Sequence, residues 1–252
     1  MDLSSLDFSA LWEYRATFAW GLVTTIWMGA LAFALAVPLG ILLALGRMRP
    51  GWAGWVLRVP IIAIVDVIRF TPLLVQAVWI HFAFPAVVQG LGGALGIGAL
   101  DRFSTSATLS GLVALTLHVS AYVSEIMCAG ILAVPDGQRE AARAMGLRPR
   151  QAFRLVVLPQ VWPLVLPPLA NTAVATFKLT AILSILAIDD LMKVANRINT
   201  FAFRPLEIFT VVALIYLLLG LVLAWGAARI ERRFGATRLR TVPTPGRTAL
   251  GA

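Results

Sequence analysis

Five apolar stretches follow one another along the chain, each long enough to cross about 30 Å of hydrocarbon as a helix. The first, residues 17–45, carries no charge, and Pro38 is a kink site within it. The second, residues 59–84, holds Asp66, Arg69 and Pro72, so part of its length has to face protein or water rather than lipid. A glycine-rich connector at 90–101 leads to a third span, 108–134, which contains Glu125. The fourth, 161–188, contains Pro163, Pro167, Pro168 and Lys178; the fifth, 208–228, is uncharged and ends in a basic run from Arg229 to Arg233. The expected fold is an all-α integral membrane protein with about five transmembrane helices. Residues 17–233 form a single membrane domain, preceded by an external segment at 1–16 and followed by a flexible cytoplasmic tail at 234–252, rich in Pro, Thr and Gly.

Charge placement orients these spans. The connectors after spans one and three, with the C-terminal tail, hold 14 Lys and Arg; the N-terminus and the connectors after spans two and four hold five. The positive-inside rule puts the N-terminus outside and the C-terminus in the cytoplasm. The 252 residues are 60% hydrophobic and 13% charged, about half the charge an average soluble domain carries. That excludes a soluble enzyme, a nucleic-acid-binding domain and a secreted disulfide module, and the net charge of +9 reads as membrane flanks. The lone Cys128 forms no internal disulfide. There is no Gly-Lys-Ser/Thr phosphate loop, no convincing metal set in His81, His118 and Cys128, and no nucleophile with a base at a recognisable spacing. No internal repeat is visible, and an odd number of spans does not divide into two halves, so a symmetric pathway requires a second subunit.

The polar stretch between spans three and four is the informative one. Asp136 is placed to N-cap a short helix through good helix formers at 138–145. Gly146 permits a left-handed C-cap, a second short helix is expected over 149–156, and the proline of Leu158-Pro159 opens the fourth span. Two short helices joined at a glycine make a knob outside the membrane, at 135–159.

The segment Glu140-Ala141-Ala142-Arg143-Ala144-Met145-Gly146, followed after nine residues by Val156-Val157-Leu158-Pro159, resembles the Glu-Ala-Ala … Gly … Ile-x-Leu-Pro signature of permease subunits of bacterial ATP-binding-cassette (ABC) importers, with Val156 in place of Ile. The likeness runs from about residue 17 to 233. Arg69-Phe70-Thr71-Pro72-Leu73-Leu74-Val75-Gln76, the 120–126 segment from Ser120 to Ile126, Lys178-Leu179-Thr180 and the 203–207 segment are similar to motifs of the polar amino acid branch. Phe70 replaces a usual glycine, Met127-Cys128-Ala129 a Phe-Arg-Gly-like segment, and Leu179 a common aspartate. His118 ahead of Ser120 is similar to a sub-branch associated with ectoine-like solutes.

The resemblance implies a type I importer permease in the bacterial inner membrane, multi-pass, with no cofactor of its own. It implies a second permease subunit, identical or a sister chain, two ATPase subunits that bind ATP and Mg, and an external solute-binding protein; nucleic acid is not expected. Glu140, Ala141, Ala142, Gly146, Leu158 and Pro159 would couple to the ATPase subunit, whose closure drives alternating access.

Charges inside a bilayer cost at least about 2.5–3.5 kcal/mol and need partners or water. Glu125 and Lys178 either pair with each other or meet the opposite charges of a zwitterionic substrate. Asp66 and Arg69, at i and i+3, share a helix face and read as a structural pair. Gln76 and Thr180 are uncharged groups at plausible depth for a polar ligand, or for interhelical hydrogen bonds. The competing function is an ion-coupled carrier with Glu125, Lys178 and Asp66 as relay groups.

Overall fold

The computed structural model describes residue 8, residues 12–49 and residues 51–235. Most of the external segment expected at 1–16, and the tail beyond residue 235, lie outside the described residues. The described chain is helical, with no strand. Helix α1 covers Arg15–Arg47, α2 Trp52–Phe70, α3 Leu73–Leu95, α4 Ala107–Leu132, α5 Asp136–Ala144, α6 Pro149–Leu186, α7 Leu191–Ala202 and α8 Pro205–Gly235. Five of these, α1, α3, α4, α6 and α8, are long and apolar enough to cross a membrane. With α1 entering from outside, α5 lies in the cytoplasm and α7 outside, and α8 returns to the cytoplasm.

The pair α1–α4 is the centre of the fold. Along α1 the buried positions Gly21, Thr25, Met28, Gly29, Ala32, Ala36, Gly40 and Ala44 recur every three or four residues and are mostly small. In lipid there is no hydrophobic drive for helices to associate, so close van der Waals approach has to hold them, and small residues allow it. A Cβ added at Gly40 would come within 2.6 Å of Val123 on α4. Leu115, Val119, Val123 and Met127 of α4 are buried against this stripe, and Val161 and Val165 of α6 close the core from the other side. A second apolar cluster at the outer end joins Phe18 of α1 to Leu191, Val194 and Ile198 of α7 and Ile208 and Val212 of α8.

The second span differs from its expected position. Residues 59–84 are not one helix: the chain breaks at Thr71-Pro72, and the crossing helix is α3, which runs on through the glycines to Leu95. Pro72 cannot donate the N–H that would continue α2, which accounts for the break. Helix α2 does not cross. Its Ile61 side chain lies against Gly46, and its Arg69 reaches the same carboxylate as Arg47, so it packs along the cytoplasmic end of α1. Glycine is a poor helix former in water, but a bilayer offers backbone groups no alternative partner, so Gly90, Gly92 and Gly93 stay helical. The left-handed Gly96 (φ 67°) then ends the helix.

The fourth span is also longer than expected. Pro149 opens it, the turn Phe153–Val157 widens to π geometry, and its last part, Thr180–Leu186, tightens to a 3₁₀ helix ending at Ala187 with φ 59°. The expected separate helix at 149–156 is thus the first part of the span. Both π turns in the described chain sit just before a proline. Trp79–Ala83 precedes Pro85 and Phe153–Val157 precedes Pro159, and the N–H of Phe84 and of Leu158 bonds five residues back, to Trp79 and Phe153. A proline ring clashes with the carbonyl four residues earlier; a wider turn moves that carbonyl away.

Asp190, in the connector outside the membrane, is fully buried, and its Oδ1 accepts the Lys193 N–H at 2.9 Å to cap α7. Burial pushes its carboxyl up to about 6. The folded chain therefore holds this proton more tightly than the unfolded chain does. Stability conferred by it is full below about pH 4 and is lost as pH rises through 6, an effect of about 3 kcal/mol. Thermal unfolding of the detergent-solubilised protein between pH 4 and 7.5 should show the wild-type midpoint falling relative to Asp190→Asn, which keeps an oxygen for the cap. Parallel curves would contradict this.

Candidate functional site

The cytoplasmic loop is built from α5 and the start of α6. Helix α5 begins at Asp136 with Pro135 at its N-cap position, so the expected capping role of Asp136 is not what the carboxylate does. Its Oδ1 instead accepts from Arg139 Nη1 at 3.0 Å, and Arg139 Nη2 donates at 2.7 Å to the carbonyl of Ile131, in the last turn of α4. Helix ends leave their last carbonyls unpaired, and Arg139 satisfies one of them while fixing the angle between span and loop. Sequence reading overlooked Arg139; the signal available was an Arg three residues after an Asp at a helix start.

The C-terminus of α5 closes as a Schellman turn. Leu147 N–H donates to Ala142 O at 3.1 Å and Gly146 N–H to Arg143 O at 2.9 Å, with Gly146 at φ 80°. A Cβ at Gly146 would meet nothing within 4 Å, so only its backbone conformation requires glycine there. Ala142 is buried under the knob and packs it on the start of α6, where Ala152 and Val157 are also buried. Glu140, Ala141, Arg143 and Met145 are exposed, Met145 to 83%. Leu158 and Pro159 follow the π turn inside the continuous helix. The knob thus offers a charged and apolar outer surface on a rigid base.

The intramembrane groups are arranged otherwise than the sequence led one to expect. Glu125 does not pair with Lys178. Its Oε2 lies 2.7 Å from Arg47 Nη1 and 3.2 Å from Arg69 Nη1. The reason is direction: Glu125 is seven residues from the cytoplasmic end of α4, about 10 Å, level with the end of α1. Arg47, read in the sequence as a loop flank, is the last residue of α1 and mostly buried. Asp66 and Arg69 do approach, but only to 3.9 Å, and Glu125 is the closer partner of Arg69. Lys178 is exposed and has no ion-pair partner among the described residues.

Gln76 and Thr180 both have their polar groups engaged. Gln76 Nε2 donates to Ile68 O at 2.6 Å and Thr71 O at 2.8 Å, and its Oε1 accepts from His118 Nδ1 at 3.3 Å. Ile68 is the residue whose carbonyl Pro72, lacking an N–H, leaves free; the glutamine side chain replaces the missing donor. A groove of about 410 Å³ opens beside this joint, lined by Val67, Ile68, Thr71, Val75, Trp79 and Leu117. Thr180 is fully buried and its hydroxyl donates to Phe177 O at 2.8 Å.

Comparison with known proteins identifies the family and the fold. Residues 36–236 match the family described as binding-protein-dependent transport system inner membrane component. The chain is 31% identical over 227 residues to the glutamine transport system permease protein GlnP of Escherichia coli K12, covering 90% of this chain and 97% of that one. It is 32% identical over 228 residues to the histidine/lysine/arginine/ornithine transport system permease protein HisM of Salmonella typhimurium, covering 90% and 93%. Among solved structures, a chain of an amino acid ABC transporter crystallised with histidines superposes with a TM-score of 0.78 at 32% identity, over 91% of this chain and 99% of that chain. With five crossing helices and a cytoplasmic knob carrying the Glu-Ala-Ala … Gly segment, the chain belongs to the binding-protein-dependent inner membrane components, the permease subunits of ABC importers, and is a transport subunit rather than an enzyme.

Proposed function

We propose that this permease translocates a polar amino acid or a related small zwitterion delivered by an external solute-binding protein. Two ATPase subunits carrying ATP and Mg would drive it, with a second permease subunit, a copy or a sister chain, completing the pathway. The observation that carries the reading is the Schellman-closed knob: an exposed Glu140-to-Met145 surface on a base held to α4 by Arg139, suited to sit in a groove of an ATPase and pass its movement to a span. Both curated relatives transport amino acids with ionisable or amide side chains, which supports the substrate class. An ion-coupled carrier is not favoured, since Glu125 and Asp66 are both drawn to arginines and form no relay toward Lys178.

Of the polar groups considered for the pathway, Lys178 is the one with no ion-pair or hydrogen-bond partner for its side chain among the described residues. It lies eight residues before the outer end of α6, about 15 Å given the 3₁₀ stretch, and is suited to meet a substrate carboxylate there. Gln76, Thr180 and Glu125 serve the pathway by holding its walls.

Two predictions separate these roles. In proteoliposomes containing the assembled complex, Gly146→Val should insert at near-normal level yet lose binding-protein-stimulated ATP hydrolysis at least about tenfold, because a β-branched residue is an outlier at positive φ. Gly146→Asn should keep most of the stimulation, since asparagine tolerates that conformation and the surroundings are open; Glu140→Lys should behave like the valine variant. Full stimulation in Gly146→Val would remove the coupling assignment. Separately, Lys178→Met should lower uptake of amino acids across a panel without lowering folded yield. Glu125→Gln should lower the yield, destabilising by about 1–2 kcal/mol, because Arg47 and Arg69 lose the carboxylate between them in a partly exposed node. Equal yield and uptake in both variants would sink both assignments.

A further inference from the structure

Four oxygen-bearing side chains from separate elements meet at the outer end of the subunit, away from the knob and from Lys178's exposed face. Thr25 of α1, Thr180 of α6 and Asp190 of the α6–α7 connector are fully buried, and the Tyr216 hydroxyl of α8 faces all three. Three of the polar contacts are made. Thr25 Oγ1 accepts the Leu191 N–H at 3.2 Å, Asp190 Oδ1 accepts the Lys193 N–H, and Thr180 donates to Phe177 O. Two are incomplete: Asp190 Oδ2 and the Tyr216 hydroxyl are buried beside one another, within reach of a hydrogen bond but short of its full geometry.

A buried donor and acceptor set this close gain from completing their bond, because a buried polar group without a well-formed partner is costly. A small approach of α8 to the connector would satisfy both. The backbone here departs from regular helix geometry. Residues Thr180–Leu186 have left α geometry for 3₁₀, Ala187 is held at φ 59° without being glycine, and the Asp190 N–H bonds only two residues back, to Ile188 O at 2.8 Å. A seven-residue 3₁₀ stretch is longer than most, and strained left-handed residues cluster at switch regions. Around the four side chains the outer cluster of Phe18, Leu191, Val194, Ile198, Ile208 and Val212 packs α1, α7 and α8 together.

We propose that Tyr216 and Asp190 form a latch at this segment: the Tyr216 hydroxyl donates to Asp190 Oδ2 when the outer ends of α1, α6 and α8 close on α7, and the bond breaks as the subunit opens outward. The inference rests on the importer function proposed above, in which outward opening accompanies closure of the ATPases. The latch holds the resting, outer-closed state and keeps ATP turnover low until a loaded binding protein engages. Thr25 and Thr180 line the joint and keep the hydroxyl in place.

Tyr216→Phe tests this with the loss of one oxygen and no loss of the ring. In the reconstituted complex of permease and ATPases, turnover without binding protein should rise by about threefold or more, as expected when one of two states loses a hydrogen bond. A cysteine at Ser184, on the 3₁₀ segment, should at the same time react faster with a membrane-impermeant maleimide from outside. Tyr216→Phe indistinguishable from wild type in both readings overturns the latch alone, provided that the wild type responds to loaded binding protein. A reduced yield of complex with unchanged turnover per complex also overturns it, in favour of a purely structural role. A wild-type complex that ignores loaded binding protein overturns the importer reading, and the latch with it.

Discussion

A carbonyl inside a bilayer has no water to turn to, and every proline in a span sets one free. Much of this structure follows from how those carbonyls are dealt with. Where Pro72 interrupts the chain, the Gln76 side chain supplies the missing donor, and the same amide oxygen then receives His118 from α4, so a backbone defect becomes a tie between helices. Where Pro85 and Pro159 fall inside helices, the preceding turn widens to π geometry and the helix continues. The outcome differs with what surrounds each proline. At Pro72 the chain leaves a surface helix and enters a span, and a change of direction is needed; at Pro85 and Pro159 it is not. At each of these three prolines the chain thus departs from a straight rod without ending its hydrogen-bonded course through the membrane.

Helix α4 is where the subunit's internal forces meet. Its middle packs on the small-residue stripe of α1, its Glu125 collects Arg47 and Arg69 from α1 and α2, and its last turn is bound by Arg139 to the cytoplasmic loop. A displacement of the loop therefore reaches α4 through a charged hydrogen bond and a short covalent link, Ala133 to Pro135. From α4 it reaches two further helices through one carboxylate. The arrangement favours movement of α1, α2 and α4 together rather than bending of any one.

The apolar runs that became α1, α4 and α8 were legible because long uncharged stretches have one stable form in lipid. The second span was misplaced for a physical reason. Hydropathy sums over a window, and the window from Val59 to Phe84 mixed the end of an interfacial helix with the start of a crossing one. The break at Pro72 and the charges at Asp66 and Arg69 were the visible signs of that boundary. The loop was legible at Gly146, where one residue's backbone freedom decides the turn, but not at Asp136, whose carboxylate had a nearer guanidinium than backbone N–H. The partner of Glu125 was hidden by distance along the chain. Arg47 is 78 residues away, and nothing local distinguishes a flank arginine that faces water from one folded back under a helix end.

Cys128 lies in the α1–α4 contact, with its Sγ 3.9 Å from the carbonyl of Ala44, and it is the chain's one thiol. Thiol reagents need both access and a thiolate, and this site provides little of the first while the two helices remain in contact. Cysteines introduced elsewhere can accordingly be followed against a quiet background without first removing the native one. The native thiol also serves as a gauge: its slow modification times the separation of α1 from α4, and a substrate or nucleotide that accelerates it reports that the most tightly packed seam of the subunit has opened.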